Sequence, residues 1–356
     1  MSLSIGIVGL PNVGKSTLFN ALTDANVLAA NYPFATIEPN TGVVPIPDKR
    51  LDKLAELYKT DKIVPASVTF VDIAGLVAGA SQGEGLGNQF LAHIRSTSAI
   101  CQVVRAFADG DVQNSGASPA QDIEIINTEL ALADLQTVDR RLPRLEKEAK
   151  ADPKLKPVYD TLQSVKQLLD AGTPLSKAPD LDLEHIADLQ LLTAKPVIYV
   201  FNVDEQTLGN DAEKQKLSQL VAPAKALFVC AKLESELREL DDSDRTELLA
   251  SYGQTESGLN QLIHAAYQTL GLQSFLTAGE KEVRAWTIPV GATAPQAAGV
   301  IHGDFERGFV AAQVVSYPDL MAAGSEVAAR AAGKVRSEGK TYIMQPDDVV
   351  EFKFNL

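Results

Sequence analysis

The segment Gly9-Leu10-Pro11-Asn12-Val13-Gly14-Lys15-Ser16 is a complete G-x-x-x-x-G-K-S loop, set between an apolar run, Ser4 to Val8, and a helix-like run, Ser16 to Leu22. Strand before and helix after is the context the motif needs. Its glycines let successive backbone N–H groups turn inward around phosphates, and the helix N-terminus adds a favourable dipole. Lys15 is expected to reach the terminal phosphates and the Ser16 hydroxyl to ligate magnesium. Further apolar runs at Ala66 to Val71, Ala99 to Phe107, Pro196 to Phe201 and Lys225 to Cys230 alternate with helical or loop material. This predicts an α/β fold, a P-loop NTPase with a mostly parallel, doubly wound sheet and ligands at the carboxyl ends of its strands.

Two more motifs belong to such a site. Asp72-Ile73-Ala74-Gly75 follows the run Val68 to Val71. Asp72 is expected to meet magnesium through water, and the Gly75 N–H to meet the γ-phosphate. Between it and the phosphate loop lies Asn31-Tyr32-Pro33-Phe34-Ala35-Thr36-Ile37-Glu38-Pro39. The Thr36 hydroxyl suits magnesium and its N–H the γ-phosphate, so this segment can sense the terminal phosphate. Lys15, Thr36, Asp72 and Gly75 are the candidate catalytic residues.

Base recognition is expected from Asn202-Val203-Asp204-Glu205, after the run Val197 to Phe201. A guanine-reading loop has the form N-K-x-D, whose aspartate accepts from guanine N1 and N2. Here Val203 stands for the lysine and Glu205 for the aspartate. The longer carboxylate is displaced at the guanine edge, so the guanine preference is expected to be lost in favour of ATP. Cys230-Ala231-Lys232 has the shape of the S-A-K loop that closes over the base.

The remaining chain predicts two additions. From Asp122 to Thr193 the spacing turns helical: Ile123, Ile126, Leu130 and Ala133, then Leu135, Val138, Leu142 and Leu145. Asp152-Pro153 reads as a turn, and Val158, Leu162, Val165 and Leu169 as a returning seam that Gly172 and Pro174 end. A coiled-coil hairpin over 122–193 is expected, with a kink at Pro143; helices that merely pack on the sheet are the alternative. After a closing helix, Leu259 to Leu270, short strands are expected at Val283 to Pro289, Ala298 to Ile301, Phe309 to Val315, Lys340 to Met344 and Val349 to Phe354. The expected division is therefore 1–121 with 194–277, the nucleotide domain, then 122–193, the hairpin, and 278–356, a small β-rich domain.

A net charge of −14 argues against wrapping DNA, because phosphate neutralisation needs clustered Lys and Arg. From Ala278 on there are eight Lys and Arg against ten Asp and Glu, so the acidity lies upstream and any RNA contact is local. Lys334, Arg336 and Lys340, with Arg307, are the candidate cations. The first residues carry no basic leader or long apolar run, and two cysteines, Cys101 and Cys230, make no disulfide framework. A cytoplasmic monomer without membrane contact is the expectation.

The phosphate loop, Asn31 to Asn40, Asp72 to Ala80, Asn202 to Glu205, Cys230 to Leu237 and Lys281 to Ala298 together resemble the Obg-like ATPase family, whose bacterial members are called YchF, over essentially the whole chain. The resemblance implies a nucleotide domain with a coiled-coil insertion, a C-terminal TGS domain of β-grasp type, and an ATPase that associates with the ribosome, its large subunit and ribosomal RNA. Carried across, the nucleotide contacts fall on Asn12, Val13, Gly14, Lys15, Ser16, Thr17, Phe107, Asn202, Val203, Cys230, Ala231 and Lys232, with magnesium on Ser16 and Thr36. Family members commonly have a histidine after the Phe107 position. This chain has none between Ala108 and Gly116.

Leu76 follows Gly75 where many related GTPases place a glutamine to orient water, and no arginine finger is visible. Intrinsic turnover is therefore expected to be slow, a finger alone being worth about 10³ to 10⁵ in rate. A partner or a cation would supply the missing function, and Asn12 sits where some related NTPases help hold potassium. His93 and Arg95, on one predicted helix, read as surface or structural groups. An Obg-type GTPase, and a ribosome- or RNA-binding module with incidental hydrolysis, stay open as alternatives.

Overall fold

The computed structural model describes residues 3–24, 41–73, 86–107, 118–178 and 180–355. They fall into two compact units, one of residues 1–43 with 69–270 and one of residues 44–68 with 271–356. The strands are β1 (Ser4–Val8), β2 (Thr41–Pro45), β3 (Ile63–Val64), β4 (Ser67–Asp72), β5 (Ala99–Ala106), β6 (Val197–Val203), β7 (Lys225–Val229), β8 (Leu272–Ala278), β9 (Val283–Pro289), β10 (Phe309–Ser316), β11 (Arg336–Glu338) and β12 (Asp348–Phe354).

The nucleotide-type sheet has the order β2-β4-β1-β5-β6-β7. Strand β1 pairs in parallel with β4 and β5, and β5, β6 and β7 follow in parallel. All of β1 and all but the last residue of β5 are buried, as central strands covered on both faces must be. Ile5, Ile7, Ile100 and Phe201 are essentially inaccessible, each contributing about 1.5–3 kcal/mol by burial. The chain leaves β1 at the sheet's switch point, and its carboxyl end opens directly into Gly9.

The expected hairpin is present. A helix runs unbroken over Pro119–Ala151 with Pro143 inside it, its start capped by the Ser118 hydroxyl accepting from Gln121 N–H. Asp152 caps the turn Pro153–Leu155, and the return helix is Lys156–Asp170. Val138 and Leu145 pack with Leu162, Val165 and Leu169 in the seam. The last part of the stretch is not long helix but short 3-10 turns at Leu175–Lys177, Glu184–Leu189 and Leu192–Ala194. Asp134, fully buried, ties them to the first helix by accepting from the N–H groups of Leu192 and Thr193 and from the Thr193 hydroxyl, all at 2.8 Å. Among the described residues no helix is long and apolar enough to cross a membrane.

The second unit is of β-grasp type, a mixed sheet in the order β11-β10-β12-β8-β9-β3. The antiparallel pairs β8/β9 and β10/β12 join through a parallel β12/β8 pair. The sheet packs Phe275, Ile288, Val314 and Phe352 against the helix Ala294–Ile301. Two of the expected strands are corrected here. Ala298 to Ile301 is the end of that helix, whose start is fixed by Pro295 and a Thr293–Gln296 capping box. Lys340 to Met344 is a turn with one bridge, Thr293 to Ile343, while β8 and β11 were missed. Residues 44–68, expected with the nucleotide domain, group with 271–356 because β3 pairs in parallel with β9 and Val283 N–H donates to Lys62 O at 2.9 Å.

Candidate functional site

The phosphate loop follows β1 and runs into the helix Lys15–Asp24, whose first turn is closed by Leu18 N–H donating to Gly14 O at 2.9 Å. Asn12 at φ 65° and Gly14 at φ 91° are both left-handed, which bends the loop back on itself. At Gly14 a Cβ would in addition run into the Asn202 side-chain amide, so only glycine fits. A Cβ on Gly9 would stand 2.8 Å from Val13 Cγ2 and 3.0 Å from Val103 O. Val13 is buried beneath the loop, whereas Asn12, Ser16 and Thr17 are exposed on its open side.

Lys15 and Asp72 meet in an ion pair, although they lie on different elements. The contact brings the end of β4 to the phosphate loop, with Lys15 only 10% exposed and Asp72 21%. The donor chemistry fits magnesium: an exposed Ser16 hydroxyl on the first helical turn and the Asp72 carboxylate beside Lys15. Among the described residues no group of three His, Cys, Asp or Glu could hold a metal by itself. A site shared between a hydroxyl, water and substrate phosphates is how Mg²⁺ is commonly bound. Thr36 and Gly75, with Leu76 and the loop after Phe107, lie outside the described residues.

The base end comes from β6 and β7. Asn202, near the end of β6, donates from Nδ2 to Val13 O at 3.1 Å, fastening the base loop to the phosphate loop. Val203 is buried, and Asp204 turns back to cap the short helix Glu205–Leu208 by accepting from Thr207 N–H at 2.7 Å. Glu205 accepts from Lys232 Nζ at 2.6 Å and from the Tyr252 hydroxyl at 3.4 Å. This contact holds Lys232 charged, above its ordinary range. Cys230 is buried before the helix Ala231–Glu239, and burial pushes its thiol up, against the N–H groups of Leu233 and Lys232. It is the inert kind of cysteine. Phe107 lies under the Arg105 guanidinium, 4.5 Å from ring centroid to Cζ.

Behind this surface a cavity of about 260 Å³ is lined by Gly14, Thr17, Ala21, Asn202, Ala231 and Arg238 among others. Its floor is braced by Glu234, which accepts from Gly258 N–H at 2.6 Å and Leu259 N–H at 3.3 Å. Burial still raises that carboxyl. Sequence reasoning missed Glu234 and Tyr252, whose partners are set by helix packing.

Other candidates are placed elsewhere. His93 is exposed, and Arg95 donates to Gln190 O at 3.2 Å and Thr137 Oγ1 at 3.3 Å, a structural clamp. Of the cations considered for RNA, Lys334 is paired with Asp319, Arg336 with Glu338 and Asp348, and Arg307 with Asp304. Lys340 is exposed.

A family model described as a 50S ribosome-binding GTPase matches residues 4–138. A second, named for the C-terminal part of YchF GTPases and described as a protein of unknown function, matches residues 272–355. Proteins named ribosome-binding ATPase YchF are 52% identical in Escherichia coli O157:H7 and 48% in Bacillus subtilis, each match covering all of both chains. The solved structure of the Schizosaccharomyces pombe YchF GTPase is 40% identical, covers 99% of this chain and 98% of its own, and superposes with a TM-score of 0.85. Matches of this identity over the whole length, on a complete phosphate loop, mean that the chain belongs to the YchF family of P-loop nucleoside triphosphatases.

Proposed function

We propose that the protein is a magnesium-dependent ATPase that hydrolyses ATP to ADP and phosphate slowly and binds the large ribosomal subunit as a nucleotide-controlled switch. The observation that carries the ATP preference is the base loop. Val203 and Glu205 replace the lysine and aspartate of a guanine reader, on a strand end that Asn202 ties to the phosphate loop. Ribosome binding follows the relatives' names, contact with ribosomal RNA follows only from the family resemblance, and the cytoplasm is the matching location. A monomer with no DNA partner suits the charge of −14.

In this reading the backbone of Asn12 to Thr17 cradles the phosphates and Lys15 turns from Asp72 to the terminal phosphate. Ser16 and Thr36 would hold magnesium directly and Asp72 through water, and a bound ion would supply neutralisation of charge on the phosphate oxygens. Gly75 N–H marks the γ-phosphate, and Phe107, Asn202, Val203, Glu205, Cys230, Ala231 and Lys232 frame the base. Leu76 can neither donate to nor accept from a water, which is why turnover is slow and a partner, or potassium held with the help of Asn12, is needed. The proposed functional division is 1–121 with 194–277 for nucleotide, apart from residues 44–68, which group with the C-terminal unit, 122–193 as the arm and 278–356 as the TGS domain.

Competitive titration with ATP and GTP at equal magnesium, with Lys15→Ala as control, tests the nucleotide. ATP bound at least about tenfold tighter, a difference of about 1.4 kcal/mol, is the expected result; tighter GTP binding contradicts it. Co-sedimentation with large ribosomal subunits in apo, ADP and ATP-analogue states tests the switch, which equal affinity in all three would overturn. Equal hydrolysis in sodium and potassium buffers would remove the potassium role.

A further inference from the structure

Glu205 stands where a guanine-reading loop has its aspartate, and both of its oxygens are already engaged. Oε1 accepts from Lys232 Nζ at 2.6 Å and Oε2 from the Tyr252 hydroxyl at 3.4 Å. The two donors come from different elements: Lys232 from the first turn of the helix Ala231–Glu239, and Tyr252 from the end of the helix Asp242–Ser251. The remaining carboxylate near Lys232 is Glu236, one turn on and at 3.9 Å, so Glu205 is the nearer partner.

A carboxylate that reads guanine must offer its two oxygens side by side to N1–H and N2–H, since an ionised carboxylate is purely an acceptor. We infer that Lys232 and Tyr252 are specificity-determining residues: each takes one oxygen of Glu205, and together they hold its carboxylate off the guanine edge. The Lys232 ammonium adds a second obstacle, because it is all donor and faces a base edge whose N1 and N2 are donors as well. Adenine suffers neither loss, since its N1 accepts and its N6 donates. An unmatched polar group in a binding site discriminates far more strongly than a missing apolar contact. The inference deepens the proposed ATP preference and rests on it, but it assigns the discrimination to a braced carboxylate rather than to the extra methylene of Glu205 alone.

Lys232 is 72% exposed, and ion pairs so open to water contribute about 0–1 kcal/mol to stability, so its substitution leaves the fold intact. Tyr252→Phe removes a hydroxyl and keeps the ring. Equilibrium titration of the full chain with ATP and GTP at equal magnesium, for wild type, Lys232→Met, Tyr252→Phe and the double variant, tests the inference, with thermal melts as the folding control. Lys232→Met is expected to tighten GTP binding by up to about fivefold, the most that so exposed an ion pair can withhold, and Tyr252→Phe by about threefold, each narrowing the ATP-to-GTP ratio. A wild type that prefers ATP while both variants keep its ATP-to-GTP ratio overturns the inference and leaves the ATP reading standing. A ratio narrowed only by weaker ATP binding also overturns it, since Lys232 would then act through its own contact with the base and not through Glu205. A wild type that prefers GTP overturns the reading and the inference together.

Discussion

The two ends of the nucleotide site are built from different materials. At the phosphate end recognition is backbone: a loop bent by Asn12 and Gly14, in front of a helix, with Lys15 held by Asp72. At the base end it is side chain: Asn202 on Val13, and Glu205 between Lys232 and Tyr252. Backbone N–H groups cannot tell one triphosphate from another, so on the proposed reading the first end supplies affinity. On that reading the second end supplies choice, and a change of a few side chains there is expected to alter the substrate while the fold and the loop stay as they are.

The largest test of this division is Lys15→Ala. Loss of the side chain proposed to reach the terminal phosphates should weaken ATP and GTP alike by about 10² to 10³, read by titration. Gly14→Ala comes next. Its new Cβ meets the Asn202 amide at a positive φ, so both nucleotides should weaken by an amount matching about 1–3 kcal/mol of strain, part of it carried into the base loop through the displaced Asn202. Asn202→Ala should cost both about tenfold, because it frees the base loop from Val13 O.

A smaller effect concerns the brace under the base end. Burial raises the Glu234 carboxyl above its ordinary 4.5, so the folded protein binds a proton that the unfolded chain has already released. Stability from this group therefore falls as pH rises from about 4.5 through the raised value, and is flat above it. Glu234→Gln should remove that slope in melts taken from pH 4 to pH 8, at a cost of about 1 kcal/mol or less near neutrality. The smallest effect is on thiols. Cys101, with no exposed surface, has its thiol pushed up to about 12, and Cys230 is raised as well. Both should label with iodoacetamide at pH 8 more slowly than a free cysteine until the chain unfolds.

How much could be read in the sequence follows the same division. The phosphate loop and the apolar runs of β1, β4, β5, β6 and β7 were legible because each signal is local: a spacing of glycines, a lysine, an apolar run. The hairpin was legible from steps of three and four, and its turn from Asp152-Pro153. What escaped depends on distant partners. β3 joins β9, Asp134 clamps Thr193, and Tyr252 reaches Glu205, contacts that no local pattern encodes. One miss was avoidable: Thr293 with Gln296 and Pro295 is a helix start written in the sequence, and the apolar residues after it were read as strand.

The most direct test of the division of labour is the ATP-to-GTP affinity ratio measured side by side in wild type, Lys15→Ala and Lys232→Met. The account predicts that Lys15→Ala weakens both nucleotides at a constant ratio while Lys232→Met moves the ratio toward GTP. A ratio that shifts with Lys15→Ala and stays fixed with Lys232→Met would contradict it, placing the choice of base at the phosphate loop.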